Sequence, residues 1–107
     1  MSKLTNCLIK KDYSCNPVWF MRQAGRYLPE FRKIRSSNQD FVKLCLDSNL
    51  SSEITLQPMK RFDLDAAIIF SDILLVPFGL GQEIKFTKDY GPQLSSFNFK
   101  KFTENKK

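Results

Sequence analysis

The segment Ala66-Ala67-Ile68-Ile69-Phe70-Ser71-Asp72 decides the fold class. Every residue from 66 to 70 is apolar, and a strand that is apolar on both faces is typical of a parallel sheet covered by helices. The predicted strand ends at Ser71, so Asp72 follows its carboxyl end. Parallel α/β folds build their sites at that edge of the sheet. The alternative is that the Asp72 carboxylate caps the following turn.

Helical patterns begin well before this strand. Residues 1–16 predict either a short leading helix or an irregular arm. Pro29 and Glu30 suit the first turn of a helix, because Pro needs no hydrogen-bond acceptor there and a carboxylate faces the positive end of the helix dipole.

Two further helices are predicted between this one and the strand. The spacing of Ser37 and Asp40 resembles a capping box for the second helix, and Asn49 is predicted to end it in the left-handed conformation. The third helix is predicted to begin near Ser51 or Ser52. Pro58 is expected to kink it, because Pro lacks a backbone donor and clashes with the preceding turn.

The connections around the strand are polar. Asp63 and Asp65 are predicted to be turn or cap residues in the connection from helix to strand. Downstream, residues 83–86 alternate between polar and apolar, which predicts a half-exposed strand, and residues 89–92 predict a turn. Together they predict a hairpin-like segment. Residues 96–107 are interpreted as a divergent, polar, basic tail.

Two arginines lie directly after the apolar run Val18–Met21, which has strand propensity. Arg22 and Arg26 flank Gly25, and Gly permits a turn or a close backbone approach. Guanidinium groups bind carboxylates and phosphates bidentately. The spacing is therefore typical of an anion clamp, with two solvated surface arginines as the alternative.

The net charge of the chain also favours binding of anions. The formal net charge of +6 over 107 residues favours anionic partners, namely nucleic acid, an anionic membrane surface or a polyanionic small molecule. Part of the surplus lies in lysines of the tail, and no nucleic-acid-binding motif is visible. We therefore expect no nucleic-acid partner.

The composition also excludes some kinds of catalytic site and favours a reducing cellular compartment. The sequence contains no His, which removes Ser-His and Cys-His catalysis and most zinc sites from this stretch. Three widely spaced cysteines favour reduced thiols in a reducing compartment. No apolar run approaches the roughly 20 residues of a membrane helix. A soluble cytoplasmic protein without a membrane partner is the expectation.

A longer stretch resembles a known family. The run PVWFMRQAGRYLPEF at residues 17–31 is similar nearly residue for residue to the N-terminal signature of uroporphyrinogen decarboxylases. The similarity continues through residues 55–58, resumes at residues 65–74 and covers about residues 5 to 95. Cobamide-dependent methyltransferases share the broader fold but usually lack the full arginine signature.

The resemblance implies a (β/α)8 TIM barrel that acts as a homodimer. The implied reaction converts the four acetate side chains of uroporphyrinogen III to methyl groups, which gives coproporphyrinogen III for porphyrin and haem biosynthesis. The family uses no cofactor and no metal ion. The substrate serves as its own electron sink.

The resemblance also implies site residues. By the family's pattern the substrate is bound by residues 22–26 and Asp72, that is by Arg22, Gln23, Ala24, Gly25, Arg26 and Asp72. Asp72 is implied to accept pyrrole N–H groups and to stabilise the positive charge that develops on the macrocycle. Arg22 and Arg26 are implied to act in catalysis by positioning the substrate, because an arginine is a poor proton donor.

A complete barrel of this type needs roughly 250 residues or more. Residues 1–107 are therefore interpreted as an incomplete, N-terminal part of a single barrel domain, truncated and inactive by itself. That part is predicted to contain leading helices, one buried parallel strand and the hairpin-like segment. The alternative function is a non-catalytic module that binds an anionic tetrapyrrole.

Overall fold

The computed structural model describes residues 1–87 and 89–104. The chain forms two compact units, Met1–Phe70 and Ser71–Lys107. The elements in chain order are α1 (Lys3–Lys10), α2 (Pro29–Ser37), α3 (Phe41–Leu46), α4 (Ser48–Arg61), α5 (Leu75–Gly79), β1 (Ile84–Thr87), β2 (Gly91–Leu94) and α6 (Phe99–Glu104).

The first two helices begin where the sequence predicts them. The Ser2 hydroxyl caps α1 by accepting a hydrogen bond from the Thr5 N–H at 3.2 Å, so the leading segment is helical. Helix α2 has Pro29 at its first position and Glu30 in its first turn, as expected from the helix dipole.

The predicted boundaries of the next two helices are wrong. The carboxylate that caps α3 belongs to Asp40, which accepts from the Lys43 N–H at 3.1 Å. Asp47 then ends α3 and caps α4, accepting from the N–H groups of Asn49 and Leu50 at 3.0 and 2.9 Å. Asn49 thus lies inside α4 and ends no helix. Asp is among the strongest N-cap residues, and its preference decides both boundaries.

The core of the first unit lies between α2, α3 and α4. Its buried apolar side chains are Leu28, Phe31, Leu44 and Ile54. Phe70 closes this core, because its ring makes edge contacts with the rings of Phe31 and Phe41 at centroid distances of 5.6 and 6.0 Å.

The buried parallel strand predicted at residues 66–70 does not form. The segment has no strand pairing, and Ile68 and Ile69 are 65% and 66% exposed. A strand needs a neighbouring backbone, whereas the segment is held at its ends by side chains: the Gln23 amide donates to the carbonyl of Ala66, and α4 side chains bind the backbone of Phe70. Residues 18–21 form no strand either.

The second unit contains the predicted hairpin. Strands β1 and β2 pair antiparallel, with Ile84 opposite Leu94 and Thr87 opposite Gly91. Gly91 has a φ of 68°, a left-handed conformation that favours glycine at the end of the turn. In the predicted tail, α6 brings the rings of Phe97, Phe99 and Phe102 together at centroid distances of 5.7 to 6.3 Å. Among the described residues, no helix has the length and apolar character needed to cross a membrane.

Candidate active site

The loop between α1 and α2 carries the arginine signature on a tight turn. The Gln23 N–H donates to the Phe20 carbonyl at 3.2 Å, and the third residue of that turn, Arg22, has a φ of 59°. Positive φ at this position is ordinarily supplied by Gly or Asn. The backbone strain in the signature therefore falls on Arg22, the residue predicted to bind the anion.

Gly25, by contrast, needs no special conformation. A Cβ built on Gly25 would lie 3.9 Å from the Arg22 carbonyl oxygen and 4.0 Å from the Tyr27 ring, both ordinary contacts. Its carbonyl accepts from the Leu28 N–H at 3.0 Å in the turn that leads into α2. The expected turn is present, but its geometry does not require glycine.

The side chain of Gln23 fixes the turn from inside. It is only 8% exposed. Its Oε1 accepts from the Phe20 N–H at 3.1 Å, and its Nε2 donates to the Ala66 carbonyl at 2.9 Å and contacts Met59 Sδ at 3.7 Å. The Tyr27 hydroxyl donates to the Gln23 carbonyl. Gln23 thus links the signature loop to the segment that precedes Asp72.

Asp65 anchors the other end of the same loop. Its N–H donates to the Val18 carbonyl at 2.9 Å, and its Oδ2 accepts from the Val18 N–H at 2.8 Å. The Lys3 ammonium lies 3.4 Å from Asp65 Oδ1. The sequence predicted a local turn or cap residue, but the partner lies 47 positions away, and no local pattern reports such a contact.

The arginine side chains of the signature are exposed and available. Neither the Arg22 nor the Arg26 guanidinium forms an ion pair or hydrogen bond within the part of the chain that the structure describes. Arg32 and Arg61, by contrast, are engaged: Arg32 Nη1 donates to the Arg26 carbonyl at 2.8 Å, and Arg61 pairs with Glu30. The unpaired guanidinium groups of Arg22 and Arg26 are well suited to bind oxyanions bidentately.

A cavity of about 500 Å³ opens beside Arg22. Its wall is mainly apolar, with one cationic and one anionic group, and includes Val18, Phe20, Arg22, Phe62, Asp63 and Leu64. Apolar walls with a few polar groups are typical of small-molecule sites. Sequence reasoning assigned Asp63 to a turn or cap, and identified neither Phe62 nor Asp63 as a cavity residue.

Not every residue of the signature lines the cavity. Ala24 packs against the hydrophobic core. Neither Ala24 nor Arg26 is among the residues that line the cavity. Of the positions implied by resemblance, residues 22–26 share one loop of the first unit, and Arg22 and Gln23 face the cavity.

Asp72 belongs to the second unit and opens the turn into α5. It is partly buried, and its Oδ1 accepts from the Leu74 N–H at 2.8 Å while its carbonyl accepts from the Leu75 N–H at 3.1 Å. This is the capping role that the sequence left open. Asp72 Oδ2 accepts no hydrogen bond from the described residues, so one oxygen is available to a ligand.

A bidentate side-chain pair joins α2 to α4. Arg61 binds Glu30 bidentately, with Nε donating to Oε1 at 2.5 Å and Nη2 donating to Oε2 at 2.9 Å. The hydrogen bond from Arg61 lowers the pKa of the Glu30 carboxyl and raises the pKa of the Arg61 guanidinium. The described residues contain no group of three or more His, Cys, Asp or Glu side chains arranged to hold a metal ion.

The profile of the family described as Uroporphyrinogen decarboxylase (URO-D) matches residues 1–106. The chain belongs to this family. Among curated relatives, the uroporphyrinogen decarboxylase of Rickettsia canadensis is 57% identical over 97 residues, which cover 91% of this chain and 28% of that protein.

Other members give the same result. The uroporphyrinogen decarboxylase of Psychromonas ingrahamii is 54% identical over 87 residues, or 81% of this chain and 25% of that protein. That of Phenylobacterium zucineum is 51% identical over 92 residues, or 86% of this chain and 27% of that protein. The chain therefore spans about a quarter of the length of the family members it matches.

Proposed function

We propose that this chain forms the N-terminal part of an enzyme that decarboxylates the four acetate side chains of uroporphyrinogen III and releases coproporphyrinogen III. Family membership supports the reaction class. The observation that carries the proposal is the unpaired Arg22 guanidinium, held on a strained turn beside a largely apolar cavity. An apolar macrocycle that carries carboxylates matches both features.

The arginines bind and orient the substrate. Arg22 and Arg26 have no protein partner among the described residues, so binding a carboxylate breaks no existing ion pair. Because both side chains are exposed in this unit, their pairing with substrate gains strength only when the rest of a barrel excludes water. Positioning is the role we assign to both, since a guanidinium group is a poor proton donor.

Asp72 stabilises charge. Its free Oδ2 accepts pyrrole N–H groups, and its negative charge favours the cationic macrocycle that forms when a pyrrole carbon is protonated. Each acetate takes up one proton and releases one carbon dioxide, and the ring accepts the electron pair of the broken carbon–carbon bond. No cofactor and no metal ion are required, because the substrate itself absorbs those electrons.

The catalytic unit is a (β/α)8 barrel that acts as a homodimer in the cytoplasm. This chain provides the leading helices of that barrel, the segment 66–70 and the hairpin. In a barrel, segment 66–70 gains the neighbouring strands that it lacks here, and closure of the sheet removes its free edges. The chain by itself is expected to be catalytically silent.

A graft tests the proposal. In the grafted enzyme, the matched stretch of this chain replaces the corresponding 97 residues of the Rickettsia canadensis relative. We expect coproporphyrinogen production within tenfold of the parent enzyme. A soluble, folded graft without turnover would overturn the assignment.

The rival function is a non-catalytic module that binds an anionic tetrapyrrole through the same arginine loop. It is favoured by one observation, namely that the exposed guanidinium groups of Arg22 and Arg26 form no ion pair within the described residues and so suit anion binding without turnover. Decarboxylation by the purified 107-residue chain would eliminate this rival. Tight binding of uroporphyrin by that chain, without turnover, would support it.

A further inference from the structure

The signature loop is closed at both ends on residues 65 and 66. At its start, Val18 exchanges two hydrogen bonds with Asp65, at 2.8 and 2.9 Å. At its end, Gln23 Nε2 donates to the Ala66 carbonyl at 2.9 Å. Three hydrogen bonds therefore close the loop on two consecutive residues that lie more than 40 positions away.

The side-chain amide of Gln23 is already committed. Its Oε1 accepts from the Phe20 N–H, and the two hydrogens of Nε2 are directed at the Ala66 carbonyl and Met59 Sδ. An amide group has two donors, and the protein uses both. At 8% exposure, Gln23 has no donor left for a substrate carboxylate.

The turn that Gln23 fixes places Arg22 in the left-handed region, at a φ of 59°. Such a conformation persists only where the surrounding structure over-determines it. Gln23 supplies that restraint twice, because its backbone N–H and its side-chain Oε1 bind the carbonyl and the N–H of the same residue, Phe20.

We infer that Gln23 is a positioning residue that acts through Arg22 and donates no side-chain hydrogen bond to the substrate. It holds the turn so that the Arg22 guanidinium stays beside the cavity. This inference rests on the proposed function and refines the resemblance, which places Gln23 among the substrate-binding residues.

Hydrogen exchange tests the restraint without requiring turnover. Gln23→Met keeps the length and the burial of the side chain but removes the amide. In the grafted enzyme, the Phe20 amide should exchange at least tenfold faster in this variant, while amides in the middle of α4 stay unchanged. Unchanged exchange at Phe20 would show that the side chain does not hold the turn.

A double-mutant cycle tests the functional claim. Gln23→Met should lower kcat/KM about tenfold or more in the grafted enzyme, mainly through KM, because the carboxylate site is misplaced. In an Arg22→Ala background the same substitution should change kcat/KM less than twofold. An equal loss in both backgrounds would overturn the inference, since a direct contact or a general structural defect does not depend on Arg22.

The chain offers a matched control in Gln57. This glutamine is 4% exposed, and neither polar atom of its side chain has a hydrogen-bond partner within the described residues. Gln57→Met should leave kcat/KM within twofold, whereas an equal loss in both glutamine variants would mean that burial of Met causes the defect. An inactive graft would refute the proposed function, while the exchange at Phe20 would still decide whether Gln23 holds the turn.

Discussion

The backbone N–H of Phe70 donates a hydrogen bond of 2.7 Å to the hydroxyl of Thr55, which itself donates to the Ser51 carbonyl at 2.7 Å. The Ser51 hydroxyl in turn donates to the Phe70 carbonyl at 2.7 Å. Helix α4 thus satisfies both backbone polar groups of Phe70 with side chains. This arrangement fixes the end of segment 66–70 two residues before Asp72.

Thr55→Val should destabilise the protein. Thr55 is 5% exposed, so the substitution keeps the shape but leaves the Phe70 N–H without its acceptor, at a cost of about 1–3 kcal/mol. Thr55→Ser is the control, because it keeps the hydroxyl and loses one methyl group. Urea unfolding of the grafted enzyme should place Thr55→Ser between the parent and Thr55→Val, and equal stability of parent and Thr55→Val would contradict the assignment.

Arg22→Gly should separate stability from function. Glycine tolerates a φ of 59°, so this variant should be about 1 kcal/mol more stable than Arg22→Ala, which keeps a Cβ in the left-handed conformation. Both variants lose the guanidinium and should lose substrate binding to the same extent. The comparison needs urea unfolding together with KM, and equal stability of the two variants would argue against the strained turn.

The sequence predicted the elements better than their boundaries. Pro29 and Glu30 located the start of α2, because their preference for the first helical turn is local. Asn49 was misassigned as the end of a helix, although Asp47 two residues earlier carries the stronger capping preference. The all-apolar segment 66–70 predicted a strand covered on both faces, and that prediction is wrong for the described residues, because Ile68 and Ile69 are exposed and no other backbone pairs with the segment.

The candidate site could be predicted from the sequence only where a continuous motif indicates it. The pattern around Arg22 and Arg26 is continuous in sequence, so a single stretch of residues reveals it. The supports of that loop are long-range: Gln23 binds Ala66, and Asp65 binds Val18. A single sequence reports residue types and local spacing, and it contains no signal for pairs separated by more than 40 positions.

Asp72→Asn and Arg26→Lys test the assigned roles. Asp72→Asn keeps the shape and removes the charge, so kcat should fall about 10²- to 10³-fold, as expected when a preorganised electrostatic group is lost. Arg26→Lys keeps the charge but loses the bidentate fork, so KM should rise. Steady-state kinetics of the grafted enzyme check both, and variants that turn over like the parent would refute the site assignment.

The Glu30–Arg61 pair should make stability depend on pH. The hydrogen bond from Arg61 holds the Glu30 pKa below its ordinary value, so the pair stabilises the fold above the unfolded Glu pKa of about 4.3. That contribution is lost as the pH falls through the lower, folded value. The parent should therefore lose its stability advantage over Glu30→Gln as the pH falls from about 6 to about 3.

The matched control for this effect is Glu53→Gln. Glu53 is exposed on α4 and forms no ion pair with the residues that the structure describes. Its replacement removes one glutamate without breaking an ion pair, and so controls for the general effect of losing a carboxylate. A constant difference between the parent and Glu30→Gln across the pH range would contradict the role assigned to the pair.

The isolated chain should associate through segment 66–70. Ile68 and Ile69 are each about two-thirds exposed, and the backbone of residues 67–69 pairs with no strand among the described residues. An extended, unpaired backbone flanked by apolar side chains is a template for pairing with another chain. The net charge of +6 opposes association only weakly, because salt screens charges beyond about 8 Å at physiological ionic strength.

Sedimentation of the purified 107-residue chain measures this directly. We expect oligomers or aggregates for the parent, and a shift toward monomer for the double variant Ile68→Lys with Ile69→Lys, because lysines on an exposed strand edge oppose pairing. The matched control places the two lysines at Leu8 and Ile9 on α1, which are about as exposed, at 70% and 71%. If charge alone were responsible, both double variants would become monomeric to the same extent. A monomeric parent with a sharp cooperative melt would show that segment 66–70 needs no partner.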